Sequence, residues 1–107
     1  MYTYNITFVV EPAKEAELLN YLKNDLIPKV VNPESPAAGV SVKMLVEIGG
    51  EKPDEDHGLS VAVSVEFKNE EEAHLWHDHI LMPFLENFHK SLGNNSIFFI
   101  TLLQNLL

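Results

Sequence analysis

A chain of 107 residues can enclose one hydrophobic core and is too short for two, so residues 1–107 read as a single domain. Hydrophobic residues at 46% and charged residues at 21% mark a folded globular protein, and a net charge of -9 with no Lys/Arg cluster argues against nucleic acid and anionic membrane as partners. With no cysteine, disulfides, thiolate metal sites and a cysteine nucleophile are excluded.

The first residues, Met1 to Thr7, contain neither a basic region nor a continuous apolar run, so no signal peptide is expected and a cytoplasmic location is the default. Tyr2, Tyr4, Ile6, Phe8 and Val10 alternate with Thr3, Asn5, Thr7 and Val9, which predicts a strand with one apolar face. Pro12 suits a first helical turn, and Leu18, Leu22, Leu26 and Val30 follow at helical spacing. Pro28 is expected to kink or end that helix near Leu26 or Ile27. Residues 32–39 hold the Pro, Asn, Ser and Gly of an extended loop.

Val40, Val42, Met44, Val46 and Ile48 alternate with polar residues and predict a second strand, followed by a polar, acidic hairpin loop over residues 49–58. Leu59 to Phe67 alternates as a third strand. Asn69 before Glu70, Glu71 and Glu72 is a helix start, with a side-chain cap and acids at the positive end of the dipole. That helix runs to about Leu92, where Gly93 supplies a stop, and Pro83 within it removes a backbone bond to His79. Residues 96–105 form a last strand that is apolar at nearly every position, yet too short a run to span a bilayer.

The order strand, helix, strand, strand, helix, strand predicts an α+β, ferredoxin-like βαββαβ fold: a four-stranded antiparallel or mixed sheet with both helices on one face. Ile6, Phe8, Val42, Met44, Val61 and Val63 must face the helices, leaving Thr3, Thr7, Ser41, Lys43, Ser60 and Ser64 on the other side. The last strand adds large apolar groups to that open side, as Phe98, Ile100 and Leu102 or as Ile97, Phe99 and Leu103. A second copy packed sheet to sheet is the economical cover, with the Leu106-Leu107 tail or a loop as the alternative. Lys43 and Glu66 share the open parity and are expected to form a cross-strand ion pair.

The second helix carries His74, Trp76, His77 and His79. At 100° per residue, Ala73, His77, Ile80, Phe84 and Phe88 share one stripe, so His77 is expected toward the core with Trp76 at the stripe's edge and His74 on its flank. Two interpretations of His77 stay open. It is either a core histidine hydrogen-bonded to a carbonyl, a tyrosine or a carboxylate, or a pocket residue with Trp76 and His74 around a small apolar or aromatic ligand. No carboxylate stands on that stripe to complete a metal site, so neither metal nor cofactor is expected. Asn5 falls on the open parity, in or near the interface if a dimer forms. No phosphate loop, nucleophile elbow or carboxylate pair is present, so no catalytic residue can be assigned.

Tyr4-Asn5-Ile6-Thr7, Leu26-Ile27-Pro28-Lys29-Val30, His74-Leu75-Trp76-His77 and Thr101-Leu102-Leu103 resemble, in that order, a small uncharacterised bacterial family. That family is a domain of unknown function in the dimeric α/β-barrel superfamily, so the resemblance implies the fold and a homodimer but brings no activity. A more distant similarity, through Asn5, Trp76 and His77, is to cofactor-independent monooxygenases of that superfamily. It implies an enzyme acting on a small aromatic or quinol-like substrate, with His77 as base or orienter and Trp76 as platform. Glu86 stands near the position of the haem ligand in the haem-degrading members, which departs from their pattern. The first expectation is a homodimeric binding or structural module; the oxygenase is the alternative.

Overall fold

The computed structural model describes residues 1–46, 50, 59–93 and 96–107. Strands β1 (Tyr2–Val10), β2 (Gly39–Met44), β3 (Leu59–Phe67) and β4 (Ile97–Gln104) form one sheet in the order β2-β3-β1-β4. Every neighbouring pair is antiparallel, so the sheet is not mixed. Helix α1 (residues 12–30) connects β1 to β2 and helix α2 (residues 70–92) connects β3 to β4, giving the expected α+β, βαββαβ order.

Period-two alternation sorts the residues between faces as the sequence predicts. Tyr4, Ile6, Phe8 and Val10 stand opposite Val65, Val63, Val61 and Leu59, and the β1 and β3 residues from Tyr4 to Val10 and Val61 to Phe67 on this parity are buried under the helices. The register of β4 puts Phe98, Ile100 and Leu102 on the helix side and Ile97, Phe99 and Leu103 on the open side. Val42 and Met44 share the helix-side parity yet stay exposed, because β2 is an edge strand that pairs with β3 alone. Lys43 stands opposite Ala62 and Glu66 opposite Gly39, so the register sets apart the two charges expected to pair across strands.

Each helix contains a π-turn followed by a proline. In α1 the α-helical Glu15–Tyr21 gives way to the π-turn Leu22–Leu26 and then to Ile27–Val30; in α2 Glu70–Trp76 is followed by the π-turn His77–Leu81 and then by Met82–Leu92. The N–H of Ile27 reaches back five residues to the Leu22 carbonyl, and that of Met82 to the His77 carbonyl. Pro28 and Pro83 come next. A proline ring clashes with the carbonyl four residues earlier, and a widened turn accommodates it. Of the two outcomes expected at Pro28, a kink or an end near Leu26 or Ile27, the helix does not end there: it widens over Leu22–Leu26 and passes through Pro28 to Val30.

The Asn69 side chain accepts the Glu72 N–H at 2.8 Å as the start of α2, and Gly93, at φ 88°, ends it. In the loop after α1, Asn32 Oδ1 accepts the Glu34 N–H at 2.9 Å, a local turn of the kind its composition predicts. The expected second strand stops at Met44, although the Leu45 N–H still donates to the Ser60 carbonyl at 2.9 Å. Most of the expected acidic hairpin loop lies outside the described residues. Among those described, no helix is long and apolar enough to cross a membrane.

Candidate functional site

The π-turn decides which side chain of α2 faces inward. Helix α2 buries Ala73, Trp76, Leu81, Phe84, Leu85, Phe88 and Leu92, with a five-residue step from Trp76 to Leu81 across the wide turn. Uniform rotation of 100° per residue puts His77 on the core stripe; the π-turn gives that place to Trp76 and turns His77 to the flank. This corrects the orientation expected from the sequence. Trp76 is 1% exposed, and its ring lies 5.3 Å from Phe67 and 6.1 Å from Tyr4. Its indole Nε1 is buried and finds no acceptor among the described residues, a defect worth about 1–3 kcal/mol.

His77 and His74 meet at Tyr4 instead. The His77 ring stacks on Tyr4 with centroids 5.4 Å apart and planes 25° from parallel. Its Nδ1 donates to Asp78 Oδ1 at 3.0 Å, since a carboxylate can only accept. The exposed His74 bridges the surface to the buried phenol: Nε2 donates to Glu70 Oε1 at 3.3 Å, which leaves Nδ1 to accept the Tyr4 hydroxyl at 3.3 Å. Burial holds the Tyr4 pKa above its ordinary value of 10.0, reinforced by the Asp78 and Glu70 carboxylates. The His77 hydrogen bond holds Asp78 below its ordinary 3.8. The result is a hydrogen-bonded chain, Glu70–His74–Tyr4, able to orient a phenol that keeps its proton at neutral pH.

Asn5 does not join this group. It lies on the opposite face of the sheet, where its Oδ1 accepts from Ser64 Oγ at 3.0 Å and its Nδ2 donates to Thr7 Oγ1 at 3.4 Å. Trp76, His74 and His77 thus share one neighbourhood, and Asn5 is separated from it by the strands.

A cleft of about 410 Å³ opens on the other side of Trp76, between the end of α1 and α2. Leu75, Trp76, Ile80 and Pro36 supply its apolar walls, and Lys29, Asn32, Glu34, Ser35 and His79 its polar ones. Neither His74 nor His77 lines it, so cleft and imidazole cluster share Trp76 alone. Among the described residues, no group of three or more His, Asp or Glu side chains is placed to hold a metal ion.

Sequence reasoning missed Tyr4, Glu70 and the α1 side of the cleft. Glu70 and His74 stand one helical turn apart, a spacing that signals their contact. Tyr4 sits on the buried parity with a hydroxyl that needs a partner. No sequence signal brings Lys29 and Ser35 to Ile80, because that meeting depends on how the helices pack.

The fold recurs in solved structures of low identity. The chain is similar to an ethyl tert-butyl ether D family protein from Bacillus halodurans (9% identity, 99% of this chain and 100% of that one, TM-score 0.68). It is also similar to a protein of unknown function from Nitrosomonas europaea (19% identity, 100% and 94%, TM-score 0.54) and to the de novo designed protein Foldit4 (15% identity, 98% and 98%, TM-score 0.59). These likenesses concern the fold alone. No curated protein matches the chain. The family model described as "Domain of unknown function (DUF4286)" matches residues 1–106.

Proposed function

The chain belongs to the DUF4286 family of unknown function, a premise that supplies no chemistry, and we propose from the geometry that it is a homodimeric module that binds a small apolar or aromatic ligand. The observation that carries the dimer is the uncovered sheet face. Both helices pack on the other side, yet Ile97, Phe99 and Leu103 are 45%, 59% and 51% exposed. Thr7 stands between Ala62 and Phe99, and Val9 between Ser60 and Ile97, so these rows of the face join large apolar groups to small or hydroxyl side chains with no charge among them. Lys43 and Glu66 are its charged members among the described residues. A face with so few charges and such large apolar groups gains by excluding water, and an identical face offers the same surface in return.

Binding, and not oxygenation, is favoured by the cleft. An oxygenase built on His77 needs a cavity reaching that ring, and the cleft lining includes Trp76 without it. His77 is engaged by Tyr4 and Asp78 as an orienting group of the wall behind Trp76.

Light scattering at micromolar concentration tests the assembly. The expected mass is twice 12.1 kDa, falling to 12.1 kDa in Phe99→Glu with an unchanged far-UV circular dichroism spectrum. A wild-type chain of 12.1 kDa overturns the dimer.

A further inference from the structure

We propose that the cleft between α1 and α2 binds a small, flat, uncharged molecule carrying a carbonyl acceptor, with the Trp76 indole N–H as the donor that recognises it. The inference rests on the binding-module reading and is independent of the dimer.

Three observations meet at this place. The first is the orphaned donor: Trp76 is 1% exposed, and its Nε1–H has no acceptor among the described residues. Tyr4 and Phe67 are the rings beside it: the Tyr4 hydroxyl, which donates to His74, makes no hydrogen bond to Nε1, and Phe67 has no lone pair to offer. A donor shut away from water without a partner favours any ligand that brings an oxygen to it.

The second is the cleft itself. At about 410 Å³ it falls within the range of small-molecule sites, and Leu75, Ile80 and Pro36 give it walls suited to a flat apolar body. Leu75 is 49% exposed, an apolar side chain held at the mouth without cover.

The third is charge. Among the described residues, Lys29 is the one Lys or Arg in the lining, and its ammonium is already engaged by Asp25 at 3.1 Å, while Glu34 adds a negative charge. The remaining polar groups are already committed in part to the loop, where Asn32 Oδ1 accepts from Glu34 N–H and Ser35 Oγ from Ala37 N–H. The cleft thus offers an anion no uncommitted Lys or Arg among its described residues, and the chain as a whole carries -9, which disfavours anions further. An uncharged acceptor is the occupant that fits. Because Nε1 is itself closed to solvent, the ligand reaches it only by displacing a neighbouring side chain of the lining, where Leu75 is half exposed.

Because Trp76 is the chain's single tryptophan, one indole cross-peak in a ¹⁵N–¹H correlation spectrum reports this site directly. The probes are 1-indanone and indane, which share one bicyclic skeleton and differ by the carbonyl. The expected result is a saturable downfield shift of the indole proton with 1-indanone at millimolar concentration or below, and binding about tenfold weaker for indane. Leu75→Glu, a change on an exposed helical position, should abolish the response while leaving the circular dichroism spectrum intact. Equal binding of the two probes, a silent indole peak, or retained binding in folded Leu75→Glu overturns the proposal. A silent indole peak beside shifts elsewhere places the ligand outside this cleft and leaves the binding-module reading standing; silence throughout counts against both.

Discussion

Tyr4 is the residue at which burial, hydrogen bonding and charge act together. Its phenol is nearly closed to solvent, donates to His74 and is faced by the Asp78 and Glu70 carboxylates; burial first, then the two carboxylates, penalise the phenolate. The native chain therefore holds the Tyr4 proton more tightly than the unfolded chain does. The associated stability is complete below the unfolded value, near 10.0, and is lost as pH rises through the higher native value. Tyr4→Phe removes the bond to His74 and should cost about 1 kcal/mol at neutral pH. It also removes the titration, so the gap between wild type and variant should narrow as pH rises above about 10. Tyr21, whose pKa burial also raises, contributes equally to both proteins. Urea unfolding at pH values on either side of 10 reads the difference; parallel curves would show that Tyr4 ionises alike in both states. That Tyr4 belongs inside was legible from its parity in β1. Its dependence on His74 was not, because the partner lies seventy residues away and the contact needs the helix in place.

At the scale of elements, the strands were legible and the helix phase was not. A strand has a period of two that no local widening disturbs, so β1 and β3 present the expected faces, while β4, apolar on both sides, takes one of two registers its sequence left open. A helix accumulates angle, and one π-turn shifts every residue beyond it. The inward stripe therefore passes from Trp76 to Leu81 in a five-residue step that leaves His77 on the flank, and the prolines that could have announced the turns read equally well as kinks or stops. The equivalent device in both helices, with Tyr21 and Trp76 each ending the segment before the wide turn, argues that the widening sets the inward stripe. A π-turn holds one residue more than the α-turn it replaces. Deleting the exposed His79 together with Pro83→Ala should therefore return α2 to a regular helix with Trp76 and Leu81 still aligned, lowering Tm by no more than about 8 °C. Deleting Glu86, on the regular segment, rotates Phe88 and Leu92 out of the core and should abolish cooperative melting. Equal damage from both deletions would mean that the wide turn does not set the stripe.

For the whole molecule, two electrostatic effects oppose each other when two copies meet. Each chain carries -9, so association brings like charges together and their repulsion acts over the Debye length, about 30 Å in dilute salt and about 10 Å at 0.1 M. Against this, Lys43 and Glu66 lie on the open face and stand far enough apart within one chain to find each other's partner across a two-fold axis. The repulsion involves the net charge of the entire surface, whereas the cross-contacts are at most two exposed pairs, each worth less than about 1 kcal/mol. The open-face dimer should therefore tighten as salt rises from about 0.02 M to about 0.5 M, with apolar burial at Phe99, Ile97 and Leu103 left to drive association. Sedimentation equilibrium across that range measures the dissociation constant. A dimer that weakens with salt would instead be held by its charges, and the apolar block of β4 would not be the surface that joins the two chains.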